Sequence, residues 1–268
     1  MHIRVGYRLV YQCLQPVPMI LNLNVHASRR GDLLRPDELR TDPPVPRSMY
    51  LDLFGNTCTR LVAPPGSITI TADGLVRDSG LPEAVMPGAQ QAEIEQLPDD
   101  TLVYLLASRY CDTEHLSTEA WSLFGSTAPG WPRVQAICDF VHNHVKFGYE
   151  FARGTRTALE TFQERQGVCR DFAHLAITLC RCLNIPARYC TGYLGDIGVP
   201  PMDAPMDFSG WFEAYVGSAW YAFDARHNMP RIGRILMARG RDAADVAISM
   251  TFGPASLQEF TVWTDEVR

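Results

Sequence analysis

One cysteine precedes a helical pattern of apolar residues in a position that could make it a nucleophile. Cys169 lies in GVCRDFAHLA (167–176), and Phe172 and Ala176 share a face of the predicted helix with it. The first N–H groups of a helix lack backbone partners and carry partial positive charge, which favours a thiolate. The position therefore predicts a reactive Cys169 with a lowered pKa. The alternative is a buried structural cysteine at the start of a helix.

The other seven cysteines form no pattern of a disulfide framework or a metal site. The chain has no CxxC pair, and a single residue separates Cys180 from Cys182. The HExxH and zinc-deaminase patterns are also missing, so we predict neither a metal nor a cofactor. Free cysteine packs as a small hydrophobe. We expect reduced core residues at Cys13, Cys58, Cys111, Cys138, Cys180, Cys182 and Cys190.

The composition is that of a globular protein with an acidic surface. Of the 268 residues, 46% are hydrophobic and 20% charged, and the net charge is −6. This balance argues against nucleic-acid or anionic-membrane partners. The first thirteen residues alternate and carry arginines, unlike the apolar core of a signal peptide. They predict a strand of the mature fold and a cytoplasmic location.

The first part of the chain has the pattern of an antiparallel β-sandwich. Apolar residues alternate with polar ones from Ile3 to Tyr11, and further short strand patterns follow between turn clusters. Residues 82–98 are rich in Pro, Gly and Gln and predict a linker. We therefore predict a β-rich region over 1–95 and a second region over 96–268.

Helices and then strands are predicted for this second region. Helical patterns cover 101–110, with Asp99 or Asp100 as N-cap, and then 132–145, 157–165 and 171–183. After residue 186 the period becomes two, which predicts strands over 187–195, 210–216 and 219–225. This order indicates an α+β fold with helices packed on an antiparallel sheet.

Two stretches resemble the core motif of the transglutaminase-like superfamily. GVCRDFAHLAITLCRCLNIPARYCTGYL (167–194) resembles the family's helix headed by a cysteine, its Ile-Pro-Ala-Arg turn and its Gly-Tyr strand. MDFSGWFEAYVGSAWYAFDARHN (206–228) resembles its histidine and aspartate strands. The resemblance spans residues 140–230 and implies a papain-like core. The preceding β region is similar to that of bacterial members.

The resemblance also implies site residues and a reaction. Family members use a Cys–His–Asp triad in which the cysteine attacks a carbonyl group, and the matching positions are Cys169 and Asp224. The base histidine is expected two residues before Trp211, where this chain has Ser209. A serine hydroxyl is no general base near neutral pH.

The hairpin pattern indicates one histidine that could replace the missing base. If Gly217-Ser218 forms a two-residue turn, Ser209 faces Arg226 and Asp224 lies diagonally from Ser209. His227 then has the opposite parity, so it reaches the site only if the strand bulges or ends. The alternative is a surface or structural histidine.

Other polar residues near the motif have simpler interpretations. His174 lies about 140° round the helix from Cys169, and it matches a structural histidine of the family. We expect Asp171 to form a structural ion pair or cap, and Trp211 and Tyr193 to pack as core rather than line an acyl groove. The charged stretch 239–247 is predicted to be structural, with a contact to the cleft as the alternative.

Two functions remain open from the sequence. The first is a thiol enzyme in which Cys169 forms an acyl-enzyme, as a peptidase, an amidase or an acyl transferase with a peptide or protein substrate. The second is a catalytically weakened protein that binds peptide or protein in the same cleft. The absence of the histidine at Ser209 favours the second, and the presence of both Cys169 and Asp224 favours the first.

Overall fold

The computed structural model describes residues 1–201 and 206–267. The strands of the first part are β1 (His2–Cys13), β2 (Val17–Leu21), β3 (Leu33–Arg35), β4 (Arg40–Asp42), β5 (Arg47–Leu51), β6 (Thr57–Ala63) and β7 (Gly66–Arg77). Next come α1 (Thr113–Phe124), α2 (Trp131–His144), β8 (Lys146–Phe147), α3 (Ala158–Glu164), β9 (Gln166–Gly167) and α4 (Cys169–Cys182). The last are β10 (Ala187–Tyr193), β11 (Ser209–Val216), β12 (Ala219–Phe223), β13 (Ile235–Gly240), β14 (Ser249–Thr251) and β15 (Ala255–Val267). The predicted α+β architecture is confirmed.

Two antiparallel sheets build the β-sandwich around one apolar core. One has the strand order β15-β1-β7-β3, with β4 also on β7, and the other β14-β2-β6-β5. In β1 the alternate residues Ile3, Val5, Tyr7 and Leu9 are fully buried. They meet buried side chains of the second sheet such as Met19. Each such apolar side chain contributes about 1.5–3 kcal/mol, so alternation in the sequence is what selects the inner face.

The C-terminal strand returns to the first sheet. β15 pairs antiparallel with β1 over its whole length, with Tyr7 opposite Val262. Both ends of the chain therefore share one sheet, and this sheet joins strands from the two regions predicted on either side of residue 95. The division at that residue stays a prediction.

The second half packs helices against a four-stranded antiparallel sheet of order β12-β11-β10-β13. From Asp171 to Cys182 every residue of α4 is buried, between the other helices and strands β10 and β11. Tyr193 and Met237 of this sheet are packed into the apolar core of the sandwich. The sheet thus supports α4 and adjoins the sandwich, which fixes the first turn of α4 relative to β11.

The helix predicted over 101–110 is wrong. The chain forms a short 3₁₀ helix over Asp99–Leu105, with Pro98 rather than an aspartate at its N-cap. It ends because Leu106 is extended and its carbonyl accepts a hydrogen bond from Arg181 Nη1 at 3.0 Å. The next helix, α1, was not predicted, nor were the strands β13, β14 and β15. None of the helices in the described ranges is both long and apolar enough to span a membrane.

Candidate active site

Cys169 is placed by a polar network around the first turn of α4. The Asp171 carboxylate accepts hydrogen bonds from the Val168 backbone N–H at 2.9 Å and from Arg156 Nη1 at 3.0 Å. A Cβ at Gly167 would lie 2.6 Å from the Asp171 side chain, so only glycine leaves room for this fold-back. These contacts confirm the predicted structural role of Asp171, and they fix the start of the helix at Cys169.

Burial raises the pKa of the Cys169 thiol above its ordinary value, so the expected lowering is wrong. Removal of the thiolate from water is the largest cause. The Arg226 guanidinium and a hydrogen bond from the Gly210 backbone oppose it, whereas Asp207 and Asp224 add to it. Because Cys169 carries a proton at neutral pH, nucleophilic attack needs a base.

The hairpin that carries the other predicted residues has the expected turn but a shorter ladder. Gly217 and Ser218 both have positive φ, 57° and 64°, as a type I′ turn requires. The ladder ends at the pair Phe212–Phe223, so the expected pairing of Ser209 with Arg226 does not form.

Asp224 is the physical reason for the early end of β12. Its Oδ1 accepts hydrogen bonds from the backbone N–H groups of Arg226 and His227, both at 3.0 Å. Its own carbonyl accepts one from the Asn228 N–H at 2.7 Å. These bonds fold residues 224–228 into a turn. Because residues 224–228 are not in a strand, their side chains do not alternate between two faces. This is the condition under which His227 is expected to reach the site.

His227 and Asp224 form a hydrogen-bonded pair. His227 Nδ1 lies 2.8 Å from Asp224 Oδ2, and Arg234 Nη2 donates to the same oxygen at 3.1 Å. Burial disfavours the Asp224 carboxylate, but Arg234 and His227 outweigh it and hold its pKa well below the usual range. An ionised Asp224 accepts the proton of Nδ1, which leaves Nε2 of a neutral His227 as a proton acceptor.

Three of the four predicted site residues line one narrow cavity. Cys169, Ser209 and His227 line it together with Asp207 and Arg226, and Asp224 lies behind His227. Ser209 Oγ is buried and has no hydrogen-bond partner among the described residues. The arrangement combines a thiol, an oriented imidazole and a carboxylate, which is the set that nucleophilic acyl transfer uses.

Two further residues that the sequence did not indicate hold this arrangement. Arg234 donates to Asp224 through Nη2 and to Glu83 through Nε, and its guanidinium lies 4.8 Å from the Trp211 ring centre. Glu83 lies 151 positions from Arg234 in the predicted linker, and neither residue is part of a periodic pattern or motif. No local signal in the sequence could have paired them.

The remaining histidines near the site are held by other contacts. His174 is fully buried, its Nε2 accepts the Ala243 N–H at 3.1 Å, and its ring stacks on Tyr110 at 5.1 Å. Burial lowers the pKa of His174 well below its usual value, so it stays neutral. His142 bonds to the Arg226 carbonyl at 2.9 Å, on the outside of the turn. The structural interpretation of His174 is confirmed.

The stretch 239–247 also has a structural role. Asp242 is buried and accepts hydrogen bonds from the backbone N–H groups of Tyr110 and Ala244, both at 2.8 Å. Arg241 pairs with Asp245 at 2.9 Å. Within residues 1–201 and 206–267, no group of three or more potential metal ligands is clustered.

The chain is similar in sequence and fold to known proteins. The model of the transglutaminase-like superfamily matches residues 119–225, a range that includes Cys169, Ser209 and Asp224 and ends before His227. The crystal structure of a "putative cysteine protease" from Cytophaga hutchinsonii superposes with a TM-score of 0.84 at 31% identity. The match covers 99% of this chain and 90% of that one.

Mycobacterial proteins are also similar in sequence. An uncharacterized protein of Mycobacterium leprae is 33% identical over 98 residues, which is 34% of this chain and 33% of that protein. An uncharacterized protein of Mycobacterium tuberculosis is 28% identical over 236 residues, 78% of this chain and 73% of that protein. The first match thus spans a third of its relative, and the second nearly three quarters.

Proposed function

Because the chain belongs to the transglutaminase-like superfamily, we propose that it is a thiol enzyme that transfers an acyl group through Cys169. The observation that carries this proposal is the 2.8 Å contact between His227 Nδ1 and Asp224 Oδ2 beside the cavity that Cys169 lines. It supplies an oriented base although the family's histidine position holds Ser209.

The first step is proton transfer and attack. His227 Nε2 accepts the proton of Cys169 Sγ, directly or through one water. The thiolate sulfur attacks the carbonyl carbon of an amide or ester, a C–S bond forms, and the carbonyl electron pair moves to oxygen. The unpaired N–H groups of the first turn of α4 stabilise this oxyanion. Asp224, held ionised by Arg234, stabilises the imidazolium of His227.

The second step releases the leaving group and resolves the acyl-enzyme. The imidazolium returns its proton to the leaving amine or alcohol as the tetrahedral carbon collapses to a thioester on Cys169. Water or an amine then gives its proton to His227 and attacks the thioester. Water gives peptidase or amidase activity, and an amine gives transamidation. We propose a peptide or protein substrate, in line with the protease description of the Cytophaga protein.

Two observations favour a second function. Ser209 occupies the position of the family's base, and burial raises the pKa of Cys169. A protein with these properties and an inactive His227 would bind peptide or protein in the cavity without turnover.

The proposal also covers the location and the partners of the protein. The eight cysteines are free thiols and the net charge is −6, which supports a cytoplasmic protein without nucleic-acid or membrane partners.

Trapping of the acyl-enzyme tests the thiol-enzyme proposal. The chain is mixed with p-nitrophenyl acetate, and p-nitrophenol release is recorded while peptide mass spectrometry locates the acetyl group. We expect a burst of one equivalent and acetylation of Cys169. Cys169→Ser should lose the burst, and Cys180→Ser is the matched control. A wild-type protein without a burst supports the binding function instead, and an equal burst in Cys169→Ser shows that another residue is acylated and contradicts the role of Cys169.

A further inference from the structure

A second cavity, of about 320 Å³, lies between the β-sandwich and the core sheet. We call it the arginine cavity, and its charged lining consists of Arg29, Arg231, Arg234, Arg239, Asp78, Glu83 and Glu213. Its volume is in the range of small-molecule sites. The acyl-transfer steps take place in the other cavity, although Arg231 lines both cavities and Arg234 contacts Asp224.

Two buried arginines that line this cavity have donors without a partner. Arg231 is 4% exposed and Arg234 is 9% exposed. Arg231 Nε and Arg234 Nη1 are buried and have no hydrogen-bond partner among the residues that the structure describes. A buried donor without an acceptor is costly. Both arginines line the arginine cavity, and Arg231 also lines the cavity of Cys169, so a small movement of either guanidinium would bring its free N–H group to an acceptor bound there.

The charges of the lining favour an anion as that acceptor. The three acids are already paired, Asp78 with Arg29, Glu83 with Arg234 and Glu213 with Arg188. The Arg239 guanidinium forms no ion pair within the described ranges, and it lines the cavity beside the other two arginines. Arginine binds carboxylate and phosphate groups with paired, charge-assisted hydrogen bonds.

The cavity also has an apolar side. Trp211, Leu236 and Ala222 line it, and they form a small apolar cluster with Cys190. This surface suits a ligand with a short apolar portion next to its charged group. We propose that the arginine cavity binds a small molecule that carries a carboxylate or phosphate group, with Arg231, Arg234 and Arg239 as the groups that hold it.

The cavity shares a residue with the acyl-transfer site. Arg234 Nη2 donates to Asp224 Oδ2, which accepts the His227 ring, while Arg234 Nη1 is the unused donor. An anion on Nη1 therefore adds negative charge next to the Asp224–His227 pair. Negative charge there favours the imidazolium of His227, as the Asp224 carboxylate does, so occupancy of the cavity should speed reactions in which His227 takes the Cys169 proton. This coupling rests on the proposed function, whereas the binding does not.

Binding is tested by isothermal titration of the full chain with inorganic phosphate and, separately, with propionate, at constant ionic strength set with chloride. We expect saturable binding with one site per chain. Arg239→Gln should weaken it at least about tenfold, as the loss of a charge-assisted hydrogen bond predicts. Arg60→Gln, at an exposed arginine of β6, is the matched control and should bind as the wild type does.

The two probes separate the sources of the anion. Saturable binding of phosphate alone indicates a phosphate ligand, and binding of propionate alone indicates a carboxylate. Equal binding by Arg239→Gln and the wild type, or no saturable binding of either probe, overturns the proposal. If Arg239→Gln does not fold, Arg239→Lys replaces it in the test. This variant retains the charge but loses the guanidinium fork, so it should bind phosphate more weakly than the wild type does.

Alkylation of Cys169 tests the coupling. At pH 7, saturating phosphate should speed iodoacetamide labelling about twofold, the size of effect that one charge roughly 10 Å away has in water. The rate in Arg239→Gln should not respond. An unchanged rate in a wild-type chain that binds phosphate overturns the coupling and leaves the binding result standing. A wild-type Cys169 that is inert with and without phosphate contradicts the proposed function and, with it, the coupling.

Discussion

The two ends of α4 carry the same residue type in opposite chemical settings. Cys169, at the first turn, lines a cavity with His227 and Arg226. Cys180 and Cys182, at the last turn, are buried. Cys182 Sγ lies 3.4 Å from the Thr113 carbonyl, and burial raises its pKa to about 12. Burial raises the pKa of Cys180 even further.

This difference shows that neighbouring groups, more than the helix itself, distinguish Cys169. Burial raises the pKa at both ends, so desolvation alone would make all three thiols inert. Only near Cys169 do the described residues place an oriented imidazole, with a proton-accepting nitrogen, in a shared cavity. The helix N-terminus places the Cys169 thiol at the cavity, and the turn after β12 places the His227 imidazole there.

Removal of each thiol gives the largest contrast between the two ends. Cys169→Ser should lower turnover of an ester or amide probe at least about a thousandfold, because the hydroxyl is a much weaker nucleophile in this site. Cys180→Ala should leave turnover near the wild-type value and lower the free energy of unfolding by about 1 kcal/mol, the cost of a small cavity. Steady-state kinetics and urea unfolding measure the two effects. A loss of turnover in both variants would show that packing of α4, not the Cys169 thiol, limits activity.

The two histidines near α4 give the next contrast. His227→Gln should slow acylation by about 10²–10⁴, the usual contribution of a general base. His174→Gln should reduce stability by about 1–3 kcal/mol, because the Ala243 N–H loses its buried acceptor, with a much smaller change in acylation. Burst kinetics on folded protein separate the two. Equal acylation rates in His227→Gln and the wild type would remove His227 as the base.

Asp224 orients His227 and is also a buried ionised group, so its substitution should change both the activity and the free energy of unfolding. Asp224→Asn removes a buried carboxylate that Arg234 and His227 contact, and we expect a loss of about 3 kcal/mol. The pKa of Asp224 is lower in the folded than in the unfolded protein, so its stabilisation is complete above about pH 4 and declines as the pH falls further. Unfolding of both proteins from pH 7 to pH 3 measures this. A difference in stability that grows as the pH falls would contradict the ionised carboxylate.

The smallest effects are expected at Ser209. Its buried Oγ has no partner among the described residues, so Ser209→Ala should change stability by less than about 0.5 kcal/mol. Ser209→His places an imidazole at the family's position, and turnover should rise if the cavity admits the ring. Kinetics of both variants make the comparison. A strong loss of stability in Ser209→Ala would mean that the hydroxyl has a partner.

The sequence predicted the parts of the fold that rest on periodic patterns. Alternation in β1, the helical face after Cys169 and the Gly217-Ser218 turn each follow from local preferences, and the structure has all three. β15 was not predicted, although it pairs along the whole of β1, its partner at the other end of the chain. Pairings between distant segments leave no period in a single sequence.

The site was also predictable where local patterns indicate it, and not where it depends on contacts in the folded chain. The position of Cys169 at a helix start and the family motif identified it, and the short distance from Asp224 to His227 along the chain allowed their contact. The bend that makes the contact depends on which backbone N–H groups Asp224 accepts, and strand parity alone predicted a different face. The direction of the Cys169 pKa also depends on burial in the folded cavity.

The pH dependence of Cys169 alkylation in the wild type and in His227→Gln tests the central claim most directly. Iodoacetamide labelling of Cys169 is followed by peptide mass spectrometry from pH 5 to pH 10, with Cys180 as the internal control. With His227 as the base, transfer of the Cys169 proton to His227 Nε2 offsets the raised pKa of the thiol, so the wild-type rate at pH 7 should exceed that of His227→Gln. In His227→Gln it should rise only well above about pH 8.5, the ordinary thiol range, because burial raises the pKa of an unassisted Cys169. Two identical profiles that rise only above this pH would contradict the account.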